Sequence, residues 1–436
     1  VIVGGTLLLR HPGWLIALAG WVLATPSVVL AVPLAGVIGV DPVGLSALAH
    51  GVAGMPVAAA LIAASSATVR REELLAVVDL GASAVSVWRR VLAPAALPGA
   101  ALGWAAASML ALTDPSISLA LAGSRPLLAS HVFHAVTTDA PTAVAARAVR
   151  VVVVFAVLVV ALFGAWVGRL TVPTPWRSGV IARHLDPHWI VRGSAVGLGL
   201  GLAVMLVTVV LRAVRWERGS SHLGATVASS ATVAVLVVVA SLVVGGATAA
   251  LSYGNGRAVD PLMLGLALLS PVAVGVVVAV VHRVPLAVGP IRLPALVGGG
   301  APLSGMLAVW LCFGALGVPL AHVMIGAGLR RTSGLAEVAC GLGAGRLRTA
   351  ASVLLPALGP QMIVAVAVLA SIVLTRVTPV VFVQPPEVML AAPRLVTLVG
   401  AGMADEAAAL SLAMTAVALV PVALATLVVK RSWRWG

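Results

Sequence analysis

The chain alternates long apolar runs with short polar passages in which glycine, proline and arginine gather. Runs such as 151-VVVVFAVLVVALFGAWVG-168 are apolar on every face, and about 18 such residues in a row are enough to cross a bilayer as a helix. A membrane-spanning β-strand would instead alternate apolar and polar positions over about ten residues. The pattern predicts an all-α polytopic membrane protein with about ten spans, at 14–40, 44–68, 98–123, 146–168, 192–212, 223–252, 261–282, 303–328, 359–380 and 406–429. Residues 169–191, rich in proline, arginine and histidine, form the one clear linker. It separates a first half, 1–168, of about four spans from a second half, 192–436, of about six.

Two of the polar passages are alike. The stretch 75-LAVVDLGASAVSVWRRVLAP-94 has nearly the same layout as 337-EVACGLGAGRLRTAASVLLP-356. In each, a glycine (Gly81, Gly343) is followed by nine residues and then by Val91-Leu92-Ala93-Pro94 or Val353-Leu354-Leu355-Pro356. This spacing reads as a helix, a tight turn at the glycine, which takes positive φ without steric cost, and a second short helix that proline closes. Six predicted spans separate the passages, an even number, so both face the same side and the repeat is parallel; an inverted repeat would need an odd number. The spans over 192–252 have no partner in the first half, and the opening VIVGGTLLLR reads as the tail of a helix. The first half is therefore expected to be N-terminally incomplete.

Composition sharpens the class. With 9% charged residues and a mean hydropathy of +1.15, a water-soluble globule would expose hydrocarbon over its whole surface. The net charge of +14 does not indicate nucleic acid, because the arginines sit at the ends of apolar segments. They read as topology signals and lipid-headgroup contacts, and placing both repeated passages in the cytoplasm puts most of them inside. Two cysteines, Cys312 and Cys340, suggest neither a disulfide framework nor a thiolate metal site.

The passages resemble the cytoplasmic loop signature of permease subunits of binding-protein-dependent bacterial ABC importers: Glu-Ala-Ala, three residues, Gly, nine residues, Ile-x-Leu-Pro. The second copy matches as Glu337-Val338-Ala339, Gly343 and Val353-x-Leu355-Pro356. The first departs from it, with Leu75 in place of the glutamate, Glu72 and Glu73 displaced upstream, and Ala93 before Pro94. Two copies in one chain are similar to the fused permeases of iron(III) and thiamine importers. The stretch 374-LTRVTPVVFVQPP-386 is also similar to one those permeases carry, with Arg376 where an acidic residue is often found.

The resemblance implies a permease in the bacterial cytoplasmic (plasma) membrane that carries a small solute, iron(III) first and thiamine second. It implies two copies of a separate cytoplasmic ATPase and an extracytoplasmic solute-binding protein as partners, beside the lipid bilayer. Each elbow would dock on the ATPase as a coupling helix, through Gly81, Arg89, Arg90 and Pro94 in the first and Glu337, Ala339, Gly343, Arg346, Arg348 and Pro356 in the second. No cofactor is expected in this chain; Mg-ATP belongs to the partner. A phosphate-binding loop needs GxxxxGK[ST], and Lys430, the one lysine, lies outside any such motif. The chain is thus expected not to be an enzyme.

Three polar residues at membrane depth are candidates for the translocation pathway: His50, Asp114 and His322. Against each stands a plainer role, a helix-packing hydrogen bond for the histidines and the cap of a short outer helix for Asp114. His131, His134 and Asp139 share an outer loop without a fixed third ligand, so a surface role is favoured over metal binding. A secondary transporter or channel driven by an ion gradient is the alternative from another class, and a non-transporting membrane scaffold is a third. The first would need ionisable groups at mid-membrane, where the span centres are nearly bare.

Overall fold

The computed structural model describes residues 41–66, 71–121, 206–216, 222–255, 259–267, 271–288, 291–297, 302–385 and 387–435, with isolated positions elsewhere. The predicted spans 14–40, most of 146–168, the start of 192–212, the linker 169–191, His134 and Asp139 lie outside the described residues.

The regular secondary structure of the described residues is helical apart from one short hairpin. In chain order they form α1 (Pro42–Ser66), α2 (Arg71–Asp79), α3 (Ala84–Val87), a π-helical turn (Trp88–Leu92), α4 (Ala93–Thr113), α5 (Pro115–Leu121), α6 (Leu223–Asn255), α7 (Val259–Ala267) and α8 (Pro271–Val281). There follow the antiparallel strands β1 (Leu286–Val288) and β2 (Ile291–Leu293), α9 (Pro302–Arg331), α10 (Ser333–Gly341), α11 (Arg346–Thr349), a second π-helical turn (Ala350–Leu354), α12 (Leu355–Thr375), α13 (Ala391–Gly400) and α14 (Ala404–Trp435). Among these residues, five helices are long and apolar enough to cross a membrane: Val85–Met109, Leu223–Ser252, Ser304–Arg330, Ala350–Thr375 and Ala404–Val428. This is the architecture of a helical, multi-pass membrane protein.

Several predicted spans have different bounds in the structure. The run 98–123 is not one helix: α4 stops at Thr113 and α5 starts at Pro115. Proline disfavours the helical region for the residue before it and donates no backbone hydrogen bond, so Asp114 is pushed out of the helix. In the run 261–282 the described residues are helical over Val259–Ala267 and again over Pro271–Val281. In 359–380 the helix begins earlier, at Leu355, and ends at Thr375, because Arg376 is extended (φ −88°, ψ 119°).

Helix α1 packs along α4, α6 along α9, and α12 along α14. Small residues permit the close approaches. A Cβ on Gly103 would lie 2.7 Å from the Ala58 backbone, and one on Gly245 would lie 2.6 Å from the Ala321 methyl, so glycine there lets two backbones meet. In α6, Val233, Val237 and Val238 face the core while Val235, Val239 and Val243 are exposed. Such an apolar outer face suits lipid rather than water.

The main core gathers α6, α8, α9, α12 and α14 around Val237, Val276, Val309, Phe313, Val373 and Ala418. Distant parts of the sequence meet where α5 lies against α13 and where Phe133 stacks obliquely on Phe382, ring centres 6.1 Å apart.

Candidate functional site

Adding 262 to each bound of α2, α3, the first π-helical turn and α4 returns α10, α11, the second π-helical turn and α12. Two separate stretches of sequence thus fold into the same elbow. Its corner is the same hydrogen-bonded helix terminus in both. In the first, Gly81 N–H donates to Val78 O at 2.9 Å and Ala82 N–H to Val77 O at 3.3 Å; in the second, Gly343 N–H donates to Cys340 O at 2.9 Å and Ala344 N–H to Ala339 O at 3.0 Å. This paired 5→2 and 6→1 arrangement requires a left-handed residue after the helix. The φ angles of Gly81 and Gly343 are 79° and 83°, a region that a side chain with a Cβ enters only at a cost.

The elbows differ in what fills them. Leu74, Val78, Val87 and Leu92 form a small buried core beneath the first. At the equivalent places the second has Ala336, Cys340, Thr349 and Leu354, of which only Thr349 is buried. Its hydroxyl helps to hold the corner, 3.5 Å from Ala344 O and 3.9 Å from the Cys340 sulfur. The first elbow, with the poorer polar signature, thus has the better apolar packing.

Outward, the elbows expose what a partner would meet. Gly81, Arg89, Arg90 and Pro94 are exposed in the first, and Glu337, Gly343, Arg348 and Pro356 in the second; Ala339 is half-buried, and Arg346 opens α11. Sequence reasoning missed the tip. Leu80 and Leu342, at equivalent positions just before the glycines, are 86% and 83% exposed. A leucine immediately before a predicted corner glycine is the signal that could have found them.

The three membrane-depth candidates fall into two groups. His50 is buried; its Nδ1 lies 2.8 Å from Ser46 O, one turn back, and its Nε2 lies 3.4 Å from the Asp114 carbonyl oxygen. This is the packing role anticipated for it, and it ties α1 to the break between α4 and α5. Asp114 does cap a short helix: its Oδ1 accepts the Ser116 N–H at 3.0 Å and the Ser116 hydroxyl. Its other oxygen faces Arg376, 3.5 Å from Nη1.

His322 belongs to a second cluster. Its Nδ1 lies 3.1 Å from the Thr248 hydroxyl and its Nε2 lies 3.0 Å from Asp260 Oδ1. Asp260 also accepts from Ser252 at 2.6 Å and from Arg330 at 3.3 Å. Asp260 stands ahead of the run 261–282. Burial pulls its carboxyl upward, but the hydrogen bonds from Ser252 and His322 and the charges of Arg330 and His322 prevail and hold it below the usual carboxylate range. Sequence reasoning passed over Asp260 because its charged and imidazole partners, Arg330 and His322, are 70 and 62 positions away. No group of three or more His, Cys, Asp or Glu that could hold a metal ion occurs among the described residues.

Compared with family models, curated proteins and solved structures, the chain finds no match.

Proposed function

We propose that this chain is the membrane-spanning permease subunit of an ATP-driven ABC importer, with two parallel permease halves in one polypeptide of about ten spans. The observation that carries this reading is the elbow: two separate stretches, at a constant offset of 262, build the same helix, glycine corner, short helix and long apolar helix. A passive membrane anchor has no use for the same exposed, rigid corner twice. A transporter driven by two copies of one cytoplasmic motor needs it twice, so that closure of the motor moves both halves as rigid bodies. The partners are then two ATPase subunits and an extracytoplasmic solute-binding protein, in a bacterial cytoplasmic membrane. Iron(III) is the first cargo to test and thiamine the second, both on the fused architecture.

The test is co-purification of the chain with its candidate ATPase, wild type against a variant in which Glu337, Arg346 and Arg348 are all alanine. Wild type should retain the ATPase and the variant should lose most of it. A wild-type chain that retains no ATPase overturns the reading.

One observation favours the second reading, an ion-gradient-driven transporter or channel. The buried His322 against Asp260 and Arg330 is the kind of ionisable cluster that proton coupling requires. Uptake abolished by a protonophore and indifferent to ATP would bring that reading forward.

A further inference from the structure

Asp114 and Arg376 stand 262 positions apart, the offset that relates the two elbows. Each therefore ends the long helix that follows its own elbow, Asp114 after α4 and Arg376 after α12. Their side chains meet, 3.5 Å from Arg376 Nη1 to Asp114 Oδ2, and are 14% and 5% exposed. When two repeats are related by a two-fold axis, a contact between equivalent residues lies on that axis. In a transporter of two halves the axis is also the pathway. Each helix has 21 residues, so at about 1.5 Å per residue the pair sits roughly 30 Å from the elbows, at the opposite face of the bilayer.

The two partners are unequally provided for. Asp114 has Ser116 on its other oxygen, and its carboxylate caps α5. Arg376 Nη1 is buried with no hydrogen-bond partner among the described residues, because 3.5 Å is long for a charged hydrogen bond. Arg376 borders a narrow cleft with Ser230, Phe313, Leu374, Leu390 and Pro393, in which only water-sized space is left. A buried donor without an acceptor is costly. The planar fork of an arginine is matched by the two oxygens of a carboxylate or phosphate.

We infer that the Asp114–Arg376 pair closes the outer end of the pathway, and that Arg376 recognises a solute carrying an oxyanion, a carboxylate or phosphate, which replaces Asp114 as its counter-ion when the pair opens. The placement on the pathway rests on the two-half importer reading; the exchange of counter-ions at Arg376 is a property of this chain alone. A bare iron(III) ion or unphosphorylated thiamine brings no oxyanion and is repelled by the guanidinium. An anionic complex of iron(III) or a phosphate ester of thiamine fits.

The experiment follows the thermal unfolding of the full chain in lipid nanodiscs as inorganic phosphate replaces chloride at constant ionic strength. It uses wild type, Asp114→Asn, Arg376→Gln and the double variant. Asparagine keeps an oxygen to cap α5, and the double variant removes both charges, which is gentler on folding than removing one. Asp114→Asn should bind phosphate about tenfold more tightly than wild type, because its arginine is left without a counter-ion. Arg376→Gln and the double variant should not respond. Should Asp114→Asn fail to fold, Asp114→Ser, which also caps, takes its place. A phosphate response equal in all variants, or absent from both Asp114 variants, overturns the inference. No ATPase takes part, so a failed co-purification and a failed anion titration are separate results.

Discussion

A carboxylate at the edge of a membrane protein is retained where neighbours make its charge worth keeping. Asp260 has Ser252, His322 and Arg330 within hydrogen-bonding reach, and their combined effect lowers its pKa despite burial. A group whose folded pKa is depressed stabilises the fold above its unfolded value, and that contribution is lost as pH falls through the folded value. Asp260→Asn should therefore unfold at a lower temperature than wild type at neutral pH. The gap should be fully present above the ordinary carboxylate value of 3.8 and close as pH falls below it. A gap that does not change with pH would show that the variant harms packing rather than charge. The corner glycines were legible at this scale, since positive φ before a short helix is a local demand. Asp260 was not, because its worth comes from Thr248, Ser252, His322 and Arg330 on two other helices.

The elbow is the element where spacing translated most directly into structure. The nine residues from glycine to the closing apolar run hold one short helix and the start of a π-helical turn that ends inside that run, and both copies form them. What the spacing did not show is the exposed leucine at each tip, Leu80 and Leu342. A large apolar side chain left in water on a rigid corner resembles the anchor residues that dominate interfaces, where a few side chains carry most of the affinity. Leu342→Asp should weaken ATPase retention about tenfold or more, with little change in the thermal stability of the chain, because the side chain touches little of its own fold. Titration of purified ATPase onto the immobilised chain measures this. The first elbow, resting on Leu74, Val78, Val87 and Leu92, should keep its shape in Leu80→Asp for the same reason.

At the scale of the whole molecule, the proposed parallel repeat fixes sidedness. Both tips should face the cytoplasm, while Met403, in the turn between α13 and α14, should face outward. With Cys340 replaced by serine and Cys312 left buried, single cysteines at Leu80, Leu342 and Met403 should react with an impermeant maleimide from opposite sides of sealed vesicles. Labelling of Leu80→Cys and Leu342→Cys from different sides would overturn the parallel arrangement.

The class and the rough placement of five spans followed from the sequence alone, because the bilayer demands long runs with no polar face and the backbone must satisfy its own hydrogen bonds there. The elbows followed too, since glycine and proline act on their immediate neighbours. The helix break at Asp114 was only partly legible. A proline in a long apolar run permits either a kink or an end, and capping by Asp114, with Arg376 across from it, selected the end. Only the tertiary structure decided which charges meet. The Asp114–Arg376 and His322–Asp260 pairs each join residues far apart in the chain, and an ion pair is set by distance in space, on which local pattern has no hold.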